Sequence, residues 1–397
     1  YYIVILRNIP LIGVHMKKRV IVQSFIIISI CMIGTAYFLL QQKNTDTKEN
    51  NHSFQKHKQR LSFIENREMK EKVTLGAIGD ILIHDHVYRD AFNGASYDFV
   101  PMFENVKTLL ENPDILTANQ ESMLGGTEIG LSGYPMFNSP HEVADALVST
   151  GVDIVSTANN HTLDKGEKGI QSETAYLNSI GLPHVGSFLD EKDRLKLRIV
   201  NKNGIKLAFL AYTYGTNGIP VPKGKDYLVN LINREVMKEE IHRARKEADV
   251  VVMSIHWGNE YQRIPTKEQK DLAQFLANEG VDIILGSHPH VLQPMDWIET
   301  SDGRKTFIIY SLGNFISAQY GDYKDIGGLA TIDIFKHISA KGNSIELSNP
   351  VFYPTYVTSQ KYHHFRVVPL EKAGGFGLQN AEAKYKEIQS HMVQWLK

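Results

Sequence analysis

The sequence predicts an α/β domain carried behind a membrane-spanning helix, and three observations predict it. An uncharged, largely apolar run over 20–40 follows Met16 and the basic triplet Lys17, Lys18 and Arg19. From Val73 onward, short apolar runs bounded by Gly, Asn or Asp alternate with amphipathic stretches. Clusters of Asp, Glu, Asn and His fall directly after those apolar runs.

The first methionine is Met16, so a start there is expected, with residues 1–15 upstream sequence translated by mistake. At about 1.5 Å per residue, the run 20–40 is long enough to cross a hydrocarbon layer of roughly 30 Å. Segment 16–40 therefore reads as a cytoplasmic basic start and a signal anchor. Positive flanking charge stays on the cytoplasmic side, so the residues after Leu40 are expected outside the cell, on a single-pass cell-membrane protein. Gly34 and Ala36 are small enough for cleavage, but the apolar run continues through Phe38, Leu39 and Leu40, which favours retention. The lone cysteine, Cys31, excludes an intramolecular disulfide and a thiolate metal cage. Residues 41–72 are polar and charged, too poor in apolar side chains to fold alone, and read as a tether. A chain with 42% hydrophobic and 22% charged residues suits a globular domain, and a formal net charge of -1 with no long basic block leaves no footprint for nucleic acid.

Strands are expected at 73–78, 115–118, 152–156, 205–212, 250–255, 281–285 and 306–310. Helices are expected between them, at 103–111, 141–149, 167–180, 235–248 and 266–279. In the last of these Leu272, Phe275, Leu276 and Glu279 keep helical spacing, and Gly280 stands where a helix end favours a left-handed residue. Strand and helix in alternation define an α/β domain. A final helix over about 381–396 puts Tyr385, Ile388, His391 or Met392, and Trp395 on one stripe, so segment 371–397 is expected to dock on the domain.

The polar clusters are Gly79-Asp80, Asn119-Gln120-Glu121, Asn159-Asn160-His161, His256-Trp257-Gly258 and Gly286-Ser287-His288-Pro289-His290. Each follows an expected strand, the edge of an α/β sheet where sites are built. One such residue alone is an ordinary cap or turn residue. Five clusters at five strand ends are not explained that way, and a His-Pro-His can serve two adjacent metals. Carboxylate, amide oxygen and imidazole together suit Mn, Zn or Fe rather than Ca, which prefers oxygen alone. Two such ions close together can activate a hydroxide and polarise a phosphoryl oxygen.

The order Asp80, Glu121, Asn160-His161, His256 and His288-x-His290 resembles the calcineurin-type metallophosphoesterase pattern. The stretches ANNHTLDKGEKGI at 158–170, HWGNEY at 256–261, GSHPHVLQPM at 286–295 and YSLGNFI at 310–316 resemble the CapA family of poly-gamma-glutamate capsule proteins, over about 73–369. The resemblance implies a layered α-β-β-α sandwich over 73–370. It implies Asp80 and His290 on a first metal, Asn160, His256 and His288 on a second, and Glu121 as the carboxylate between them. His161 would then be a non-ligand imidazole that protonates a leaving oxygen or steadies the transition state. The implied cofactors are one or two divalent ions. The implied partners are the ligase and membrane subunits (CapB- and CapC-like) of a poly-gamma-glutamate synthase and the anionic polymer itself.

The sequence also departs from the phosphoesterase pattern. Leu82 stands where a histidine is usual, Thr162 where an acid follows the Asn-His pair, and Glu121 replaces an aspartate. The first metal subsite is short of a ligand unless His84 or His86 joins it. Glu260, Tyr261, Lys165 and Asn314 are candidates for supporting or substrate contacts, and GDYKDIGG at 321–328 for a lip over the site or a plain hairpin. Two other readings stand beside the capsule subunit. One is an extracytoplasmic metal-dependent phosphoesterase without a capsule role, the other a scaffold whose site has decayed at Leu82.

Overall fold

The computed structural model describes residues 29–43, 55–56, 58, 69–340 and 342–396. The expected start, the first part of the expected span and most of the expected tether lie outside the described residues. Residues 29–43 form a helix, α1, with exposed side chains. Among the described residues no helix is long and apolar enough to cross a membrane.

The second unit, Met69–Ile338 with Gly342–Lys397, carries the domain. Strand β1 (Met69–Ile81) is followed by helices α2 (Asp85–Ala91), α3 (Val100–Phe103) and α4 (Lys107–Leu110) and by β2 (Ile115–Gln120). Next come α5 (Glu142–Ser149), β3 (Ile154–Ser156), α6 (Gly166–Ser179), β4 (His184–Val185) and α7 (Glu191–Arg194). The chain continues with β5 (Arg198–Lys202), β6 (Ile205–Thr213), α8 (Arg234–Glu247), β7 (Val250–His256), α9 (Lys267–Glu279) and β8 (Ile283–Ser287). It finishes with β9 (Leu292–Glu299), β10 (Lys305–Leu312), β11 (Asn314–Ile316), β12 (Ile326–Ser339), β13 (Gly342–Gln360), β14 (His363–Pro369) and α10 (Ala381–Val393).

These strands make two sheets. One has the order β14-β13-β12-β1-β2-β3-β4 with β11 paired on β1; the other runs β5-β6-β7-β8-β10-β9. Strands β1 to β4 are parallel, as are β6, β7, β8 and β10. Alternating residues of the second sheet explain the layering. Leu207, Phe209, Val250, Val252, Ile283 and Phe307 share one core with Val73, Leu75 and Ala77 of the first sheet. Their neighbours Ala208, Leu210, Val251, Met253, Ile284 and Ile308 face the other way, onto Met237 and Ile241 of α8 and Leu272 and Leu276 of α9. On the far side of the first sheet, Leu116, Ala118 and Val155 meet Val143 and Leu147 of α5 and Leu177 of α6. The result is an α-β-β-α sandwich. Strands buried on both faces are near-continuous apolar runs, which is why the sequence shows them plainly.

Helix α9 begins at Thr266, whose hydroxyl accepts from Gln269 N while Gln269 Oε1 accepts from Thr266 N, and it ends on Gly280 at φ 117°. Ile388 and Met392 of α10 are buried in the core between the sheets. Three expectations shift. Strand β1 starts at Met69 rather than at 73, because Met69–Lys72 pair antiparallel with Phe335–Ile338 in an exposed ladder whose charged side chains read as tether. The helix expected at 103–111 is broken by a 3-10 turn, Glu104–Val106. The segment 321–328 divides into a turn and the start of β12.

Candidate metal centre

Parallel pairing brings the polar clusters to one edge. The register sets Asp80 beside Asn119, Asn119 beside Ser156, and His256 beside Ser287. The chain leaves β10 in the second sheet and enters β11 in the first through Gly313, at φ 64°. That step sets Asn314 beside Asp80, with Asp80 N donating to Gly313 O at 2.9 Å. The approach is so close that a Cβ on Gly79 would stand 1.9 Å from Gly313 O. Only glycine fits at that corner.

Asp80, Glu121, Asn160, His256, His288 and His290 are all buried there. One ligand atom each from Asp80, Glu121 and His256 lies within 4.8 Å of the others, and the same holds for Glu121, His288 and His290. Glu121 belongs to both groups. His256 Nε2 is 2.8 Å from Asn160 Oδ1 and 3.8 Å from Glu121 Oε1, while its Nδ1 contacts Ser287 Oγ at 2.9 Å. His290 Nδ1 is 3.1 Å from both Asp80 Oδ2 and Asn314 Oδ1. Both partners are acceptors, so Nδ1 donates there, and Nε2 lies 3.7 Å from Glu121 Oε1. The backbones of His288 and His290 have φ 94° and 58°. Side chains bearing a Cβ rarely occupy that region, and such strain collects at functional sites.

The electrostatics fit a cation. Burial, reinforced by Asp80 beside it, pushes the Glu121 carboxyl well above the usual carboxylate range. Burial first, then the neighbouring histidines, hold His256 well below the ordinary imidazole value and bring His288 down to about 3. Among the buried atoms without a hydrogen-bond partner are Glu121 Oε1 and His288 Nδ1. Unprotonated imidazoles beside crowded carboxylates are a ligand set awaiting positive charge, and a divalent ion there would favour the carboxylate anions.

His161 lies beside this cluster with its Nδ1 2.8 Å from Asp164 Oδ2. Asp164 also accepts from Phe137 N at 2.6 Å, and the Phe137 ring meets the His161 ring edge-on at 4.7 Å. Asp164 is the residue that sequence reasoning missed. The acid expected directly after the Asn-His pair is supplied three residues after His161, and Thr162 instead ties the loop by donating to Thr157 O. Asn119, the first residue of its cluster, supports Asp80. It donates to Asp80 Oδ1 at 2.8 Å and receives a bond from Ser156 Oγ at 3.0 Å.

The remaining candidates divide. His84 packs edge-on against Phe137 at 5.1 Å and its Nδ1 receives a bond from Ala318 N at 3.3 Å. His86 stacks on Tyr362 at 4.2 Å instead. Leu82 is buried apolar core. Asn314 touches His290, as above, whereas Tyr261 is half exposed and receives a bond from Gln319 Nε2. Glu260 is exposed and Lys165 half-buried.

Fold and site together define a layered α/β protein with a candidate divalent-metal centre at the shared edge of its sheets. Residues 74–319 match the family described as bacterial capsule synthesis protein PGA_cap, and the chain belongs to that family. It is 31% identical over 264 residues to the capsule biosynthesis protein CapA of Bacillus anthracis, covering 63% of this chain and 61% of that protein. It is 35% identical over 182 residues to the PGA biosynthesis protein CapA of Bacillus subtilis (strain 168), covering 45% and 46%. The match thus spans less than two thirds of either relative. Among solved structures, a NAD nucleotidase from Haemophilus influenzae aligns over 82% of this chain and 61% of its own, at 12% identity and a TM-score of 0.43.

Proposed function

We propose that this protein is the membrane-anchored, extracellular subunit of a poly-gamma-glutamate capsule system, and that its centre holds one or two divalent ions of the Mn, Zn or Fe type. The observation that carries the metal reading is Glu121, a buried carboxylate common to both ligand groups with Oε1 lacking a hydrogen-bond partner. By that grouping Asp80, Glu121 and His256 would hold one ion and Glu121, His288 and His290 the other, with Asn160 beside His256; the resemblance instead pairs Asp80 with His290 and Asn160 and His256 with His288, and Glu121 is shared in either split. A bound ion supplies Lewis acidity toward a phosphoester or amide oxygen. His161, oriented by Asp164 through Nδ1, keeps Nε2 for proton transfer to a leaving group. The membrane reading rests on the uncharged run after Lys17, Lys18 and Arg19. The capsule reading rests on the family and on the names of its relatives, with the synthase ligase and membrane subunits and the anionic polymer as partners.

The test is complementation of a capsule-forming strain lacking its own copy. The chain should restore extracellular polymer, and His256→Ala or His161→Ala should not, at equal protein level. Full polymer output from His256→Ala would make the centre dispensable and leave a scaffold.

A further inference from the structure

The 319–325 turn and the C-terminal helix make a connected polar network that ends on a candidate metal ligand. Glu387 of α10 accepts from Tyr323 Oη at 2.6 Å and Arg263 Nη1 at 3.1 Å on one oxygen, and from Lys384 Nζ at 2.8 Å on the other. The Tyr323 ring also carries the Arg263 guanidinium at 3.7 Å and the Lys384 ammonium at 4.3 Å from its centre. Tyr323 and Asp322 have φ 67° and 48°, an unfavourable backbone for side chains of their kind that persists only where the surroundings impose it. The next residue, Lys324, offers its carbonyl to Asn314 Nδ2 at 2.8 Å, and Gln319 Oε1 takes the same amide at 3.0 Å. Both bonds fix which face of the Asn314 amide is the oxygen, and that oxygen contacts His290 Nδ1 at 3.1 Å.

We infer that Glu387 and Tyr323 are positioning residues for the metal centre, acting through the 319–325 turn and Asn314 on the ring of His290. The inference rests on reading the site as a metal centre. Arg263 lies in the segment that follows His256 on β7 and meets the network at Glu387 and Tyr323. Helix α10 is thereby part of the site's scaffold: its buried residues hold it on the core while Glu387 gathers the turn.

The experiment measures Zn2+ affinity of the purified full chain by competition with a fluorescent chelator. Variants are Glu387→Gln, Tyr323→Phe, Asn314→Ala and the double variant Asn314→Ala with Glu387→Gln. The control is Lys386→Ala, which removes only an exposed ion pair with Glu382 on the same helix. Groups that orient a ligand typically change affinity by about 10- to 100-fold, so these more distant residues should weaken Zn2+ about 3- to 10-fold. The control should bind as wild type. Glu387→Gln should add nothing once Asn314 is alanine, because the two act in series. Tyr323→Phe keeps the ring and its cation contacts, which guards against a helix that simply detaches. Wild-type affinity in both Glu387→Gln and Tyr323→Phe, or full additivity in the double variant, overturns the inference. A wild-type chain that binds no Zn2+ overturns instead the metal reading on which it rests.

Discussion

Glu173 gives the domain a stability that falls as pH rises through neutrality. It sits on α6 with its side chain buried, and its Oε1 accepts from Leu124 N at 3.2 Å. Burial pushes its carboxyl up to about 8 from 4.5, against the opposing pull of that one hydrogen bond. Between those values the native protein holds a proton that the unfolded chain has released, so the native state is favoured at low pH and loses that advantage as pH climbs. At about 1.36 kcal/mol per pH unit, the change from pH 5 to 8 is on the order of 4 kcal/mol. Glu173→Gln keeps the shape and the acceptor but cannot ionise. Urea unfolding followed by near-UV circular dichroism, at fixed divalent-ion level, should give equal stability for both proteins at pH 5. At pH 8 the variant should be the more stable by several kcal/mol. Glu121, which is also pushed up, is common to both and drops out of the comparison. Parallel stability curves across this range would mean that Glu173 does not carry this pH dependence.

His184 should act in the opposite direction. Burial first, then the charge of Arg198, brings it down to about 4, and neither ring nitrogen has a hydrogen-bond partner. Stability is full above the unfolded value near 6.5 and falls by roughly 3 kcal/mol toward pH 4; His184→Leu should flatten that fall in the same urea assay. Gly79→Ala would force a Cβ to 1.9 Å from Gly313 O and 2.8 Å from Leu312 O, both backbone atoms, with no flexible side chain to yield. It should destabilise the domain by about 3 kcal/mol or more, and a wild-type melting temperature would contradict the close approach. Asp164→Asn should lower polymer output toward that of His161→Ala while leaving metal content unchanged, because Asp164 bonds His161, the proposed proton donor, and is not among the proposed ligands.

Much of this site was legible because its chemistry is tied to strand ends. Strands β2, β6, β7, β8 and β10 are buried on both faces, so their apolar runs stand out, and the polar clusters at the C-terminal ends of β1, β2, β3, β7 and β8 mark the edge of the sheets. Helices α5, α6, α8 and α9 were legible from periodicity, and α9 from its capping residues as well. Strands β12, β13 and β14 were not, since Lys, Asp, Asn and His occupy their exposed positions and blur the alternation. Strand β11 is only three residues long and is held by a crossing between sheets that no local pattern announces. Asp164 was hidden for a similar reason: it reaches His161 across one turn of loop, where the expected acid would be adjacent in sequence. The contacts of Asn314 with His290 and Lys324 span 24 and 10 residues of chain, and only the folded arrangement reveals them.

The proposed divalent-metal centre joins Asp80, Glu121, Asn160, His256, His288 and His290. Elemental analysis of the purified full chain, after growth with Mn, Zn and Fe, tests it directly beside Glu121→Gln and His288→Ala. The wild type should carry one or two equivalents of metal, and both variants should lose it with the fold retained. A wild type that purifies and remains empty, or a His288→Ala protein that keeps its full metal content, would contradict it.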